Sequence, residues 1–141
     1  QATELQDVMG FTGMRYAQLH GDESPAFAQS LEVPWFRAFR VGSTFASSAV
    51  ADYGQEMFLL DAAHGGEYGG TGTTFDWDLA TQTRDAGKLL LAGGLTPENV
   101  GDAVRRVRPF GVDVASGVES SPGRKDPNKV GALVTAVAQA E

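Results

Sequence analysis

Three parts of this sequence hold residues whose types and spacing could do chemistry. The first is the stretch Asp61–Asp76, DAAHGGEYGGTGTTFD, which ends in an aspartate flanked by two aromatics, Phe75-Asp76-Trp77. Desolvation by such neighbours raises a carboxyl pKa, as a general acid requires. Asp76 also suits the N-cap of a following helix, and one side chain can do both. The second part is a pair of glycine loops, Gly93-Gly94-Leu95-Thr96 and Ala115-Ser116-Gly117-Val118-Glu119. Glycine lets the backbone approach a phosphate closely, and N–H groups ahead of a helix donate to it. The same glycines would also serve simple tight turns. The third part is Gln18-Leu19-His20-Gly21, where His20 sits at the end of a strand-like run and could brace the turn or touch a ligand.

Other chemistries are excluded or weak. Gly70-Thr71-Gly72 lacks the third glycine of a dinucleotide fingerprint, and no glycine-lysine-serine or -threonine completes a P-loop. Asp61 and His64 could give two metal ligands, but no third is suggested nearby, so no metal site and no cofactor are expected. There is no cysteine, so disulfides and thiolate sites are ruled out. A net charge of -7 argues against nucleic acid as a partner. Arg105, Arg106 and Arg108 are expected to complement a helix C-terminus. No apolar run is long enough to span a membrane, and no leader or glycosylation sequon is visible, which favours a cytoplasmic protein.

These loops need elements to hold them. Strand-like runs occur at 15–19 (RYAQL), 35–41 (WFRAFRV), 57–60 (MFLL), 88–92 (KLLLA) and 111–114 (GVDV). Helical spacing links Ala46, Ala49, Val50 and Tyr53, then Val100, Ala103, Val104 and Val107, then Val130, Leu133, Val134 and Val137. Leu5, Val8 and Met9 predict a helix before the first strand. Ser24-Pro25, Thr96-Pro97 and Asp126-Pro127 each predict a capped helix start with proline at the first helical position. Strands alternating with helices specify an α/β fold with a parallel sheet. The strands read as continuous apolar runs, as expected when both faces are buried. The repeat is about 24 residues, so eight units would need about 190, near the lower end of complete (β/α)8 barrels. A five-stranded doubly wound sheet fits the same count. No linker is visible, so residues 1–141 are expected to form a single domain or part of one.

In combination and in this order, the motifs resemble the phosphoribosylanthranilate isomerase family. They are YAQLHGDE (16–23), FRAFRV (36–41), FLLD (58–61), GGTGTTFDWDL (69–79), LAGGLTPENV (91–100) and GVDVASGVESSPGRKD (111–126). The resemblance implies a partial (β/α)8 TIM barrel, strands four to eight with their helices, forming one incomplete domain. It implies an Amadori rearrangement of a phosphosugar-anthranilate substrate, in which an acid protonates the ribose ring oxygen and a base removes the C2 proton. It assigns the acid to Asp76 and the phosphate to Gly93, Gly94, Ser116 and Gly117, and it places Gln18 and His20 at the mouth of the site. Position 115 holds alanine where the family usually has serine. The family's base is a cysteine on the first strand, and an arginine for the anthranilate carboxylate belongs to the same early part. The resemblance therefore implies that these 141 residues are inactive by themselves, with open barrel edges that favour association.

Overall fold

In a computed structural model, residues 2–42, 45–61 and 77–140 are described. The chain opens on α1 (Ala2–Thr12) and then forms β1 (Ala17–Leu19), α2 (Pro25–Gln29), β2 (Trp35–Arg40) and β3 (Met57–Asp61). It continues through α3 (Trp77–Thr81), β4 (Lys88–Ala92), α4 (Val100–Val107), β5 (Gly111–Val112), β6 (Glu119–Ser121), β7 (Arg124–Lys125) and α5 (Pro127–Ala138). Segments of 3-10 helix occupy Ser47–Tyr53, Arg84–Ala86 and Ser116–Val118.

The five expected strands form one parallel sheet in the order β1-β2-β3-β4-β5, so spatial order follows chain order. A doubly wound sheet reverses its order at a switch point, and none occurs here. Each strand exposes alternate residues to opposite faces. Phe39, Phe58, Leu60, Leu89 and Leu91 pack on one face with Val50, Trp77, Ala80, Ala103 and Val107 from the connections. Phe39 anchors this layer with edge-on contacts to Phe45, Tyr53 and Phe58 at 5.5 to 6.4 Å. The opposite face carries smaller residues, Ala38, Leu59 and Ala92, packed with Phe36 and Leu90. The continuous apolar runs thus reflect burial on both faces.

Several boundaries differ from the sequence reading, each for a local reason. The expected strand at 111–114 stops at Val112, because the chain turns away from β4 after Asp113 N–H donates to the Leu91 carbonyl. The expected helix around Ala46–Tyr53 is a 3-10 segment ended by Gly54 in the left-handed region, φ 60°. Ser24 and Asp126 cap as expected: Ser24 Oγ accepts from Phe27 N–H, and Asp126 accepts from Asn128 and Lys129 N–H. Thr96-Pro97 does not open α4. It forms a turn, Thr96 Oγ1 accepts only a 3.3 Å bond from Glu98 N–H, and regular helix begins at Val100. The apolar stripe of α5 is only half covered, with Val134 62% exposed. The antiparallel hairpin β6–β7 was not anticipated.

Candidate functional site

The glycine loops after β4 and β5 converge on one cleft of about 180 Å³ at the C-terminal end of the sheet. Its lining runs from Ala92 to Leu95 and from Asp113 to Gly117, with Asp61 from the end of β3. All four sequence-predicted phosphate residues, Gly93, Gly94, Ser116 and Gly117, therefore share one wall. Gly93 and Gly94 turn the chain with φ of 89° and 64°, a region glycine enters without steric cost. Asn99 staples this turn, donating from Nδ2 to the Gly94 carbonyl at 3.0 Å and accepting from Thr96 N–H at 2.8 Å. Asn99 stands at the N-cap position of α4, but its side chain ties the glycine turn and caps no N–H of the helix. Gly117 is glycine for a different reason. A Cβ there would lie 1.9 Å from the Leu95 carbonyl oxygen, so the two loops touch backbone to backbone.

None of the backbone hydrogen bonds that link loops and turns among the described residues is donated by Gly93, Gly94, Ser116 or Gly117. Gly94 and Ser116 are exposed and Gly93 and Gly117 half-buried, and backbone N–H donors grouped around such a cleft suit an anion. The loop after β5 is braced from behind. Lys125 Nζ donates to the Ala115 carbonyl and to Glu119 Oε1, both at 2.8 Å. Lys129 Nζ reaches the Glu119 carbonyl at 2.8 Å. The Lys125 ammonium and the Gly123 N–H hold the Glu119 carboxyl below the usual carboxylate range.

Asp61 and Asp113 complete the lining of the cleft, and His20 stands beside Asp61. Register pairs Gln18 with Phe36, Ala38 with Leu59, and Asp61 with Ala92, so Gln18, His20 and Asp61 share the face opposite the helices. Gly111 pairs with Leu90, which puts Asp113 on that face too. His20 Nε2 lies 3.7 Å from Asp61 Oδ2. It is buried without a hydrogen bond among the described residues. Gln18 is exposed, two residues before His20 on the same face, and neither residue lines the cleft. Asp76 and His64 lie outside the described residues. Trp77, which follows Asp76, is buried at 8% exposure and begins α3.

Sequence reasoning passed over Asp61 and Asp113. In sequence the first suggests only a metal ligand, and the second falls inside the strand-like run 111–114. A period-two count from Leu59 and Gly111 would have put both on the face that the helices leave open. The arginine cluster behaves as expected of a helix end. Arg105 pairs with Asp102 at 2.6 Å and Arg106 with Asp78 at 2.7 Å, all of them exposed.

The chain is similar to proteins of known family. Residues 2–136 match the family described as N-(5'phosphoribosyl)anthranilate (PRA) isomerase. The chain is 49% identical over 122 residues to the N-(5'-phosphoribosyl)anthranilate isomerase of Citrifermentans bemidjiense, an alignment covering 86% of this chain and 59% of that protein. It is 51% identical over 114 residues to the isomerase of Trichlorobacter lovleyi, covering 80% and 56%. It thus spans less than two-thirds of the length of these relatives. The crystal structure of phosphoribosyl anthranilate isomerase from Thermotoga maritima superposes with a TM-score of 0.84 at 34% identity, over 98% of this chain and 68% of that one. A similar isomerase structure was solved in complex with reduced 1-(o-carboxyphenylamino)-1-deoxyribulose 5-phosphate (TM-score 0.81, 32% identity, 98% and 66% covered). The chain belongs to the N-(5'-phosphoribosyl)anthranilate isomerase family.

Proposed function

We propose that this chain forms strands four to eight, with their helices, of a (β/α)8 barrel that catalyses the Amadori rearrangement of N-(5-phosphoribosyl)anthranilate in tryptophan biosynthesis. The supporting observation is the convergence of two glycine loops on one cleft, edged by Asp61 and Asp113, with His20 beside Asp61. Loops after the last two strands of a barrel often bind phosphate. The sequential strand order and the small-residue face opposite the helices suit the wall of a barrel, and residues 1–141 then form one incomplete domain.

In this reading the substrate phosphate accepts N–H bonds from Gly93, Gly94, Ser116 and Gly117. The carboxylates and imidazole opposite that wall meet the hydroxyls of the sugar, with His20 nearer the reacting atoms than Gln18. Asp76 donates a proton to the ribose ring oxygen as its bond to C1 breaks, leaving an iminium at C1. A base then removes the C2 proton, and the resulting enol relaxes to the ketone. The rearrangement is an internal redox exchange between C1 and C2, so no cofactor is required. The base belongs to the part of the isomerase that precedes strand four, and these 141 residues alone do not turn over. A cytoplasmic location suits this biosynthetic role; among the described residues no helix is long and apolar enough to cross a membrane.

Asp76→Asn, made in this chain joined to the first three βα units of a related isomerase, tests the assignment. We expect kcat to fall by about 10² or more, the range of general acid–base catalysis, with KM roughly kept. Unchanged turnover would leave Asp76 a helix cap and nothing more.

The open sheet edges favour a second property, self-association. Phe11 (93% exposed), Met14 and Tyr16 flank β1, and Phe110 (65% exposed) precedes β5. Unpaired edges beside apolar surface are prone to pairing. Sedimentation of the 141-residue chain as a monomer across micromolar concentrations would refute it.

A further inference from the structure

We propose that Lys125 is a positioning residue for anion binding: by holding the Ala115 carbonyl it aims the Ser116 N–H into the cleft. The inference rests on the phosphate reading above and concerns a residue outside the cleft lining.

The argument starts from the peptide bond. In a planar trans peptide the carbonyl of one residue and the N–H of the next point in opposite directions. Whatever fixes the Ala115 carbonyl therefore fixes the Ser116 N–H. Ala115 has φ −109° and ψ −88°, neither helical nor extended, so no regular ladder sets this peptide's direction. Two donors meet its oxygen. Val118 N–H approaches only to 3.4 Å, whereas the Lys125 ammonium is at 2.8 Å. The ammonium is itself fixed, since it donates to Glu119 Oε1 across the β6–β7 hairpin, where Glu119 faces Lys125 in register. Asp126 N–H closes the same unit by donating to the Val118 carbonyl at 2.8 Å. With its oxygen tied on the hairpin side, the peptide presents the Ser116 N–H on the other side, where Ser116 and Gly117 line the cleft. A cation on the carbonyl also polarises the peptide and strengthens the N–H as a donor.

Lys129 supplies an internal control. It is a second lysine bonded to the same hairpin, at the Glu119 carbonyl, and it does not touch Ala115. If Lys125 acted only as nearby positive charge or as hairpin glue, losing either lysine would matter alike.

The experiment is a titration of the 15N-labelled 141-residue chain with inorganic phosphate, following the Ser116, Gly94 and Gly117 amides. We expect saturable shifts in the unsubstituted chain. Lys125→Met should weaken phosphate by about tenfold or more, the loss expected for a charge-assisted contact. It should also move the Ser116 amide proton upfield before any phosphate is added, leaving Phe58 and Leu91 in the core unmoved. Lys125→Arg should recover most of the affinity, and Lys129→Met should stay within about threefold of the original. Phosphate binding undiminished in Lys125→Met, or diminished equally in Lys129→Met, would overturn the proposal. Absence of any saturable shift in the unsubstituted chain would instead sink the phosphate site on which it rests.

Discussion

The loop after β1 and the loops after β4 and β5 reach the same end of the sheet, yet they are held by opposite means. At β1 the clasp is made of side chains. The Arg37 guanidinium, 11% exposed, reaches from β2 to the Glu23 carboxylate and to the Gly21 carbonyl. Gly21 N–H donates back to Glu23 Oε2 at 2.9 Å, and the Tyr53 hydroxyl donates to the Glu23 carbonyl at 2.8 Å. The Tyr53 ring lies 5.4 Å from the guanidinium. At β4 and β5 the hold is backbone against backbone, Gly117 on Leu95, with Asn99 and Lys125 fixing the carbonyls behind. A side-chain clasp can lose one contact and keep the rest. A backbone contact has no slack, because moving it moves the loop.

Gly117→Ala should therefore give the largest effect. The new Cβ would meet the Leu95 carbonyl at 1.9 Å, so one loop must leave the other. We expect a loss of about 3 kcal/mol, the upper part of the overpacking range, together with loss of phosphate binding. Gly94→Ala sharpens the contrast within the same cleft. Its Cβ would meet nothing within 4 Å, and the cost is only that of φ 64°, about 1 kcal/mol. Urea unfolding of both variants decides the matter, and equal losses would mean that the close contact carries no special weight.

Arg37→Met tests the other clasp and should cost less, about 2 kcal/mol, since Glu23 retains its N–H donors and some solvent. Acid provides the finer reading. Burial pushes the Glu23 carboxyl up, but its own and the Gly21 N–H groups and the Arg37 charge hold it below its ordinary value of 4.5. A depressed carboxyl pKa stabilises the fold above that ordinary value, and the contribution fades as pH falls through the lowered one. The gap between Arg37→Met and the unsubstituted chain should then be full at pH 7 and narrow as the pH is brought well below 4.5. An unchanged gap in urea melts at both pH values would show that Arg37 acts by packing over Tyr53 instead.

The two regions also differ in how far the sequence disclosed them. The strands were legible because Phe58, Leu59 and Leu60 are all buried, and a run apolar on both faces reads plainly. The Ser24 and Asp126 caps were legible because each bonds within three residues. Thr96-Pro97 carries the same local signal, yet regular helix begins only at Val100, and the Asn99 side chain reaches back to the Gly94 carbonyl, a contact the glycine turn creates. The glycines of the cleft were visible as types, while the reason for Gly117 was not, since it lies 22 residues away in the Leu95 carbonyl. Asp61 and Asp113 became site residues only through register, which places strand ends distant in sequence on one face. The β6–β7 hairpin did leave a signal, Ser121-Pro122-Gly123, with Gly123 at φ 77°.

The smallest effect is expected where a side-chain link resembles the Arg37 clasp but lies in water. Arg106 bonds Asp78 Oδ1 through Nε at 3.2 Å and Nη2 at 2.7 Å, tying α4 to α3. Both side chains are about half exposed or more, at 49% and 63%. Exposed pairs contribute little, and the two helices already share a core through Trp77, Ala80, Ala103 and Val107. Arg106→Gln should cost under about 0.5 kcal/mol and shift Tm by no more than about 3 °C. The result matters because α3 starts at the residue after Asp76. If Arg106→Gln proved as damaging as Arg37→Met, the seat of Trp77 would depend on the ion pair. Exposure would then cease to separate the two clasps, and the placement of the proposed acid would rest on a surface contact rather than on the core.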